Sequence, residues 1–146
     1  MATPSVAAID TLNSLLEAEV NSIFHFVGEG SPYLSKAAPA IRQPLEGIRQ
    51  HLDQHEKELS DLIRQLGGEP AIPPKPDPDE QYLKYLSLKF LLPKLIEAKK
   101  LMIDRYHHAG KLVKDNPGIV ELLDRHTKEM QIDLAVLNGV AAQVAV

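Results

Sequence analysis

Two stretches of this sequence repeat apolar residues at alternating steps of four and three positions, and each stretch places one histidine inside that pattern. The first stretch consists of Ile41, Leu45, Ile48, Leu52, His55, Leu59, Leu62 and Leu66. The second consists of Ile119, Leu123, His126, Met130, Asp133, Leu137, Val140 and Val144. Because this spacing keeps residues on one face of an α-helix, both imidazoles are predicted to point into a core.

Turn signals separate these two helices from their neighbours. An opening helix is predicted from about Val6 to Val27, with an inward face made of Ile9, Leu12, Leu16, Glu19, Ile23 and Phe26. The next helix should follow a loop that contains Pro39. Pro44 should fall near the first turn of that helix, because a proline is tolerated only there. It should stop at Gly67-Gly68.

The remaining chain predicts a crossover and two more helices. Residues 69–79 contain five prolines and should form an extended segment that carries the chain from one end of a bundle to the other. A helix is predicted from Gln81 to Lys114, kinked or broken at Pro93, and a turn at residues 115–118 precedes the last helix. Strand signals are negligible, so the sequence predicts a single all-α domain over residues 1–146, an antiparallel up-down four-helix bundle.

Composition narrows the function classes. A net charge of -4 and a pI near 5.8 argue against nucleic-acid binding. The absence of cysteine excludes disulfides, thiolate metal sites and cysteine nucleophiles. No apolar stretch approaches the ~20 residues of a membrane span, and the first residues do not form a signal peptide, so a cytoplasmic protein is expected.

Counting residues from the predicted helix ends, at ~1.5 Å per residue, indicates which polar side chains meet in the core. The first predicted layer contains Glu19, His55, Tyr106 and His126. The second contains Lys99 and Asp133. Glu58 and Glu129 each follow a histidine by three positions and so share its helix face.

Imidazole and carboxylate groups in a bundle core suit iron, manganese or zinc. Here the chain resembles the ferritin-like superfamily, which contains bacterioferritin and rubrerythrin, over nearly its whole length. Glu19 with Phe26 seven residues on is similar to the family's Glu-x6-Tyr, and His55 and His126 match its two histidines. The resemblance implies iron oxidation or another redox reaction with oxygen, with Glu19 and both histidines as ligands and Tyr106 as a neighbouring donor. It also implies a homodimer.

Besides Phe26 in place of the tyrosine, the sequence departs from the family motif at three positions that should carry acids. The family's Glu-x-x-His is replaced by Leu52 before His55 and by Leu123 before His126, and Lys99 stands where the third helix should supply an acid. These losses would leave a mononuclear site made by Glu19, His55 and His126, helped by Glu58, Glu129 or His107. His51 with His55 gives a His-x3-His spacing similar to hemerythrin-like bundles, but the sequence has no second such pair.

Two functions follow from these residues. In the first, the chain is a ferritin-like protein with a carboxylate/histidine metal site in its core. In the second, it is a metal-free binding or scaffold protein of the same fold, in which Glu19, His55, Tyr106 and His126 form a closed hydrogen-bond network. An inward Lys99, paired with Glu19, Asp133 or Glu58, would favour the second function, because an ammonium group would replace the charge of a metal. The sequence does not decide whether the protein is an enzyme, and it shows neither a nucleophile elbow nor a phosphate-binding glycine loop.

Overall fold

The computed structural model describes residues 6–22, 24, 39–71 and 88–144, and this part of the chain forms four α-helices and no strand. The helices are α1 (Val6–Val20), α2 (Pro39–Gln65), α3 (Leu88–Leu112) and α4 (Pro117–Val144). The main packed pairs are α1 with α2, α1 with α3, α2 with α4, and α3 with α4. The predicted all-α four-helix bundle is therefore confirmed.

The core consists of two apolar clusters with polar side chains between them. The first cluster includes Leu12 and Leu16 of α1, Leu59 and Ile63 of α2, Tyr106 of α3 and Leu123 of α4. The second includes Phe24, Leu45, Leu52, Leu95 and Leu137. Helices α1 and α4 run from the first cluster to the second, whereas α2 and α3 run from the second to the first, so the order of directions is up, down, down, up. Every packed pair is thus antiparallel, and α2 and α3 run in the same direction.

Helix α1 ends earlier than the apolar pattern predicted, at Val20 instead of about Val27. The last turn closes with the Asn21 amide donating to the Glu17 carbonyl, and the Ser22 hydroxyl accepts the Phe24 amide at 3.3 Å. Short polar side chains of this kind compete with helical hydrogen bonds and favour helix ends. Phe26, the predicted equivalent of the family's tyrosine, lies outside the described residues.

Helix α2 begins at Pro39, so the predicted loop does not include this residue. A proline fits the first helical position because its amide would have no helical partner there. Pro44 lies beyond the first turn, which corrects the prediction that it would fall within it. At the other end the helix stops at the predicted glycines: Gly67 has φ 87°, its amide donates to Arg64, and the Gly68 amide donates to Ile63. These bonds form a Schellman cap.

Helix α3 continues through Pro93 without the predicted break and ends at Leu112, two residues before the predicted Lys114. Helix α4 begins at Pro117, inside the predicted turn, with the Asn116 carbonyl accepting the amides of Ile119 and Val120. The predicted start of α3 at residues 81–87 and most of the crossover, residues 72–80, lie outside the described residues.

The start of the crossover is bound to α1. The Asn13 side-chain amide donates to the Glu69 carbonyl at 3.0 Å, and its oxygen accepts the Ala71 amide at 2.7 Å. Among the described helices none is long and apolar enough to cross a membrane.

Candidate functional site

Three side chains from three helices meet between the two apolar clusters. The Tyr106 hydroxyl of α3 donates to Glu19 Oε1 of α1 at 3.0 Å and lies 3.2 Å from His126 Nδ1 of α4. All three side chains are buried. Burial and the nearby Glu19 carboxylate raise the pKa of Tyr106 well above its usual value, so this hydroxyl stays protonated. It therefore links an acid of α1 to an imidazole of α4.

His55 of α2 lies against His126 of α4, with ring centroids 3.9 Å apart and the ring planes inclined by only 17°. Both rings are at most 1 % exposed. Burial, together with a smaller effect of the neighbouring His126, lowers the pKa of His55 to about 2. Burial also lowers the pKa of His126 to about 4, against an opposing effect of Glu58. The two rings are therefore a stacked pair of neutral imidazoles.

The two His-x-x-Glu segments pair reciprocally across the antiparallel α2–α4 interface. His126 Nε2 lies 3.3 Å from Glu58 Oε1, and His55 Nε2 lies 3.6 Å from Glu129 Oε2. The first distance is that of a hydrogen bond, and the second is too long for one. Within the described part of the chain His55 Nε2 makes no hydrogen bond.

Arg125 lies over the outer side of this reciprocal pair. One guanidinium nitrogen donates to Glu58 Oε1 at 3.1 Å, and a second forms a short contact with Glu58 Oε2. The first nitrogen also lies 3.8 Å from Glu129 Oε1. The hydrogen bonds from Arg125 are the main cause that lowers the pKa of Glu58. Arg125 was not among the predicted site residues, although its spacing of four residues to Glu129 was a usable signal.

The two residues of the second predicted layer, Lys99 and Asp133, are both buried. Lys99 Nζ lies 4.5 Å from the centroid of the Phe24 ring. Burial lowers the pKa of Lys99, and the carboxylates of Glu19 and Asp133 act in the opposite direction. Asp133 Oδ1 and Oδ2 lie 2.8 and 3.1 Å from Nδ1 of His51. This contact between His51 and Asp133 was not predicted, because it depends on the register of α2 against α4.

His107 does not belong to the cluster, because its side chain is exposed. It follows the buried Tyr106 directly, and one residue corresponds to a rotation of ~100° around a helix. His107 therefore lies apart from the other predicted metal ligands. His51 faces Asp133 instead of joining His55, so the hemerythrin-like spacing does not produce a histidine pair aimed at one point.

In this arrangement the cluster does not fit a mononuclear metal site that uses both histidines. One metal bound by both rings needs nitrogens at ~2.0–2.2 Å whose lone pairs converge on it, whereas the in-plane lone pairs of two nearly parallel rings run side by side. Both nitrogens of His126 already face partners, Tyr106 and Glu58, and Arg125 binds Glu58. In keeping with this, the described residues include no group of three or more histidines and acids placed to hold a metal.

Comparison with known proteins supports the fold. No protein-family model and no curated protein sequence matches this chain. A solved structure, the bacterioferritin of Desulfovibrio desulfuricans, is similar with a TM-score of 0.73 and 17% sequence identity. The match covers 94% of this chain and 80% of the bacterioferritin chain, whose structure describes a diiron site in different catalytic states. At this identity the likeness establishes a ferritin-like four-helix bundle and nothing finer.

Proposed function

We propose that this chain is a ferritin-like binding or scaffold protein whose core is held together by side chains in place of a metal. The observation that carries this proposal is the stacked pair of neutral imidazoles, His55 and His126, with centroids 3.9 Å apart. In the mononuclear site expected from the sequence, the same two rings would have to turn their lone pairs toward one point. Here they present their faces to each other.

The hydrogen bonds around the stack support the same conclusion. Buried polar groups are costly unless they are satisfied, and the two ring nitrogens of His126 face Tyr106 and Glu58, so the single N–H of the neutral ring finds an acceptor on whichever nitrogen carries it. Tyr106 extends the network to Glu19, so the polar groups of α1, α2, α3 and α4 are tied together. Such a network fixes how four helices pack.

Elemental analysis of protein purified without chelators tests this function against the alternative, an iron-binding or iron-oxidising protein. We expect less than one iron, manganese or zinc ion per chain. We also expect the melting temperature to stay the same when each metal or a chelator is added, because a ligand stabilises a fold only by binding to it. His55→Ala/His126→Ala is the matched control and should show the same lack of response. A stoichiometric metal that raises the melting temperature of the wild type, but not of the double variant, would establish the metal function.

The partner we propose is a second copy of this chain, bound through the face between α1 and α3. On α3 the positions Leu101, Arg105, His108 and Leu112 follow steps of four, three and four and so form one stripe. Leu101 and Leu112 are 53% and 63% exposed, and α1 adds Val6 at 73%. Antiparallel pairing of two such stripes about a twofold axis places Leu101 of one copy against Leu112 of the other. It also brings Arg105 near the acids Asp10 and Asp104 that line the same groove.

Sedimentation velocity tests this interface. Leu101→Glu/Leu112→Glu should convert a dimer to a monomer, because it places four like charges in the proposed contact. Ile132→Glu, on the outer face of α4 at a residue that is 62% exposed, is the control and should leave the dimer intact. A wild type that sediments as a monomer at all concentrations, or a double variant that remains dimeric, would disprove the interface.

A further inference from the structure

We infer that Lys99 and Arg125 supply the positive charge that metal ions supply in di-metal bundles, one at the inner end of the polar cluster and one at its outer end. This inference rests on the proposed metal-free function and goes beyond it. It states what replaced the metals, and it predicts which substitutions would bring metal binding back.

Lys99 is the inner cation. Its side chain is only 4% exposed, and the acids whose charges act on it, Glu19 and Asp133, are 1% and 2% exposed. Two carboxylates in so dry a region need a positive partner, because burying an uncompensated charge is strongly unfavourable. Lys99 occupies the helix position that mirrors Glu19, which is where the resemblance calls for a metal-binding acid. One substitution thus removes a ligand and introduces a cation.

Arg125 is the outer cation. It bridges Glu58 and Glu129, the two acids that face Nε2 of His126 and of His55. A planar guanidinium group can donate to two carboxylates at once, as a bridging metal does with its ligands. It occupies both oxygens of Glu58, which a metal on this side would need.

On α2 and α4 the acids stand at other positions, relative to each histidine, than in the Glu-x-x-His motif. Around the two stacked imidazoles the described residues still place four carboxylates, the buried Glu19 and Asp133 and the half-buried Glu58 and Glu129. Leu52 and Leu123, three residues before each histidine, are each 2% exposed and belong to the apolar clusters. The acids that face the histidines of the opposite helix come three residues after each histidine instead. The chain therefore keeps an acid on each of these helices but places it where a cationic side chain reaches it.

The first test removes the inner cation. Lys99→Met keeps the apolar stem but removes the buried ammonium group on which Glu19 and Asp133 act, so we expect the melting temperature to fall by about 10 °C. Lys99→Met/Asp133→Asn should recover a large part of that loss, because it removes one of the two buried charges. Lys100→Met, at the exposed neighbouring position, is the matched control and should change the melting temperature by no more than about 2 °C. A Lys99→Met protein as stable as the Lys100→Met protein would overturn the inference for the inner cation.

Arg125→Met tests the outer cation in the same assay. Its side chain is 48% exposed, so we expect a smaller fall of about 2–4 °C, which high salt should largely abolish. No change in melting temperature at low salt would overturn the inference for the outer cation.

The second test restores the ligands. Leu52→Glu/Lys99→Glu/Leu123→Glu should bind Zn²⁺ or Co²⁺, seen as up to two ions per chain by elemental analysis and as visible absorption of the Co²⁺ form. The metal should also raise its melting temperature by several degrees. A folded triple variant that shows none of these responses would overturn the inference, and if it does not fold, the Lys99→Met cycle decides alone. Metal bound by the wild type would instead disprove the proposed function, so the two failures can be told apart.

Discussion

His55 and His126 occupy equivalent positions in two similar helix segments, yet their surroundings differ. His126 has Tyr106 at 3.2 Å on one nitrogen and Glu58 at 3.3 Å on the other. His55 has its nearest acids at 4.0 Å, from Nδ1 to Glu19, and at 3.6 Å, from Nε2 to Glu129. Both rings are equally buried. The stack therefore joins one imidazole that has a polar partner at hydrogen-bond distance from each nitrogen to one that is held mainly by packing.

This asymmetry comes from the other two helices of the bundle. Helix α3 offers Tyr106 to His126, whereas the hydroxyl of that tyrosine already donates to Glu19, the acid nearest to Nδ1 of His55. On the outer side Arg125 binds Glu58 through two nitrogens and approaches Glu129 only to 3.8 Å. Two matching helix segments thus become different sites because their partners differ.

Acidification should lower the free energy of unfolding because both histidines are buried, and this is the largest effect that we expect. The pKa of each ring is lowered from 6.5, to about 2 for His55 and to about 4 for His126. Between pH 6.5 and 4 the unfolded chain binds protons that the native rings do not, so acid favours unfolding. The free energy of unfolding should fall by at most about 1.4 kcal/mol per pH unit for each histidine. Urea denaturation at pH 7, 6, 5 and 4.5 measures this slope.

The difference between the rings should appear at lower pH. Below about pH 4 the loss from His126 is complete, while His55 continues to destabilise the fold until about pH 2. Asp133 acts in the opposite sense, because burial raises its pKa and the native state takes up its proton first on acidification. His55→Phe/His126→Phe is the control and should show a much shallower slope between pH 6.5 and 4.5. An unchanged slope in that variant would mean that other groups cause the acid sensitivity.

Sequence periodicity was enough to predict the inward direction of His55 and His126, because a helix face is a local property. It could not predict which acid faces which imidazole, since the pairs His51–Asp133, His55–Glu129 and His126–Glu58 depend on how α2 slides along α4. Arg125 was missed for a related reason: it lies next to His126, off the apolar seam, and only its long side chain reaches Glu58.

The end of α1 was predicted too late because Ile23 and Phe26 continue the apolar spacing. The local hydrogen bond from the Phe24 amide to Ser22 prevailed over that spacing. Phe24 is nevertheless buried, and its ring lies beside Lys99 Nζ. The early end of α1 is thus followed by a buried Phe24 that packs beside Lys99.

Replacing each histidine by phenylalanine should separate the two roles, with a smaller effect than acid. His126→Phe keeps a flat ring in the stack but leaves the Tyr106 hydroxyl and the Glu58 carboxylate without their imidazole partner. A lost hydrogen bond of this kind costs about 1–3 kcal/mol. His55→Phe removes a ring whose nearest acids lie at 3.6 and 4.0 Å, so it should cost less than about 1 kcal/mol or be stabilising. Urea denaturation at pH 7.5, where both native imidazoles are neutral, compares the two variants.

Tyr106→Phe shows whether the larger cost of His126→Phe arises from the hydrogen-bond chain. The single change removes the hydroxyl that joins Glu19 to His126. If the chain acts as a unit, Tyr106→Phe/His126→Phe should be destabilised by less than the sum of the two single variants, whereas Tyr106→Phe/His55→Phe should be additive. Equal coupling of Tyr106 to both histidines would contradict the asymmetry of the stack. The hydroxyl would then support the two rings as a pair, and packing alone would have to explain why only one of them has polar neighbours at hydrogen-bond distance.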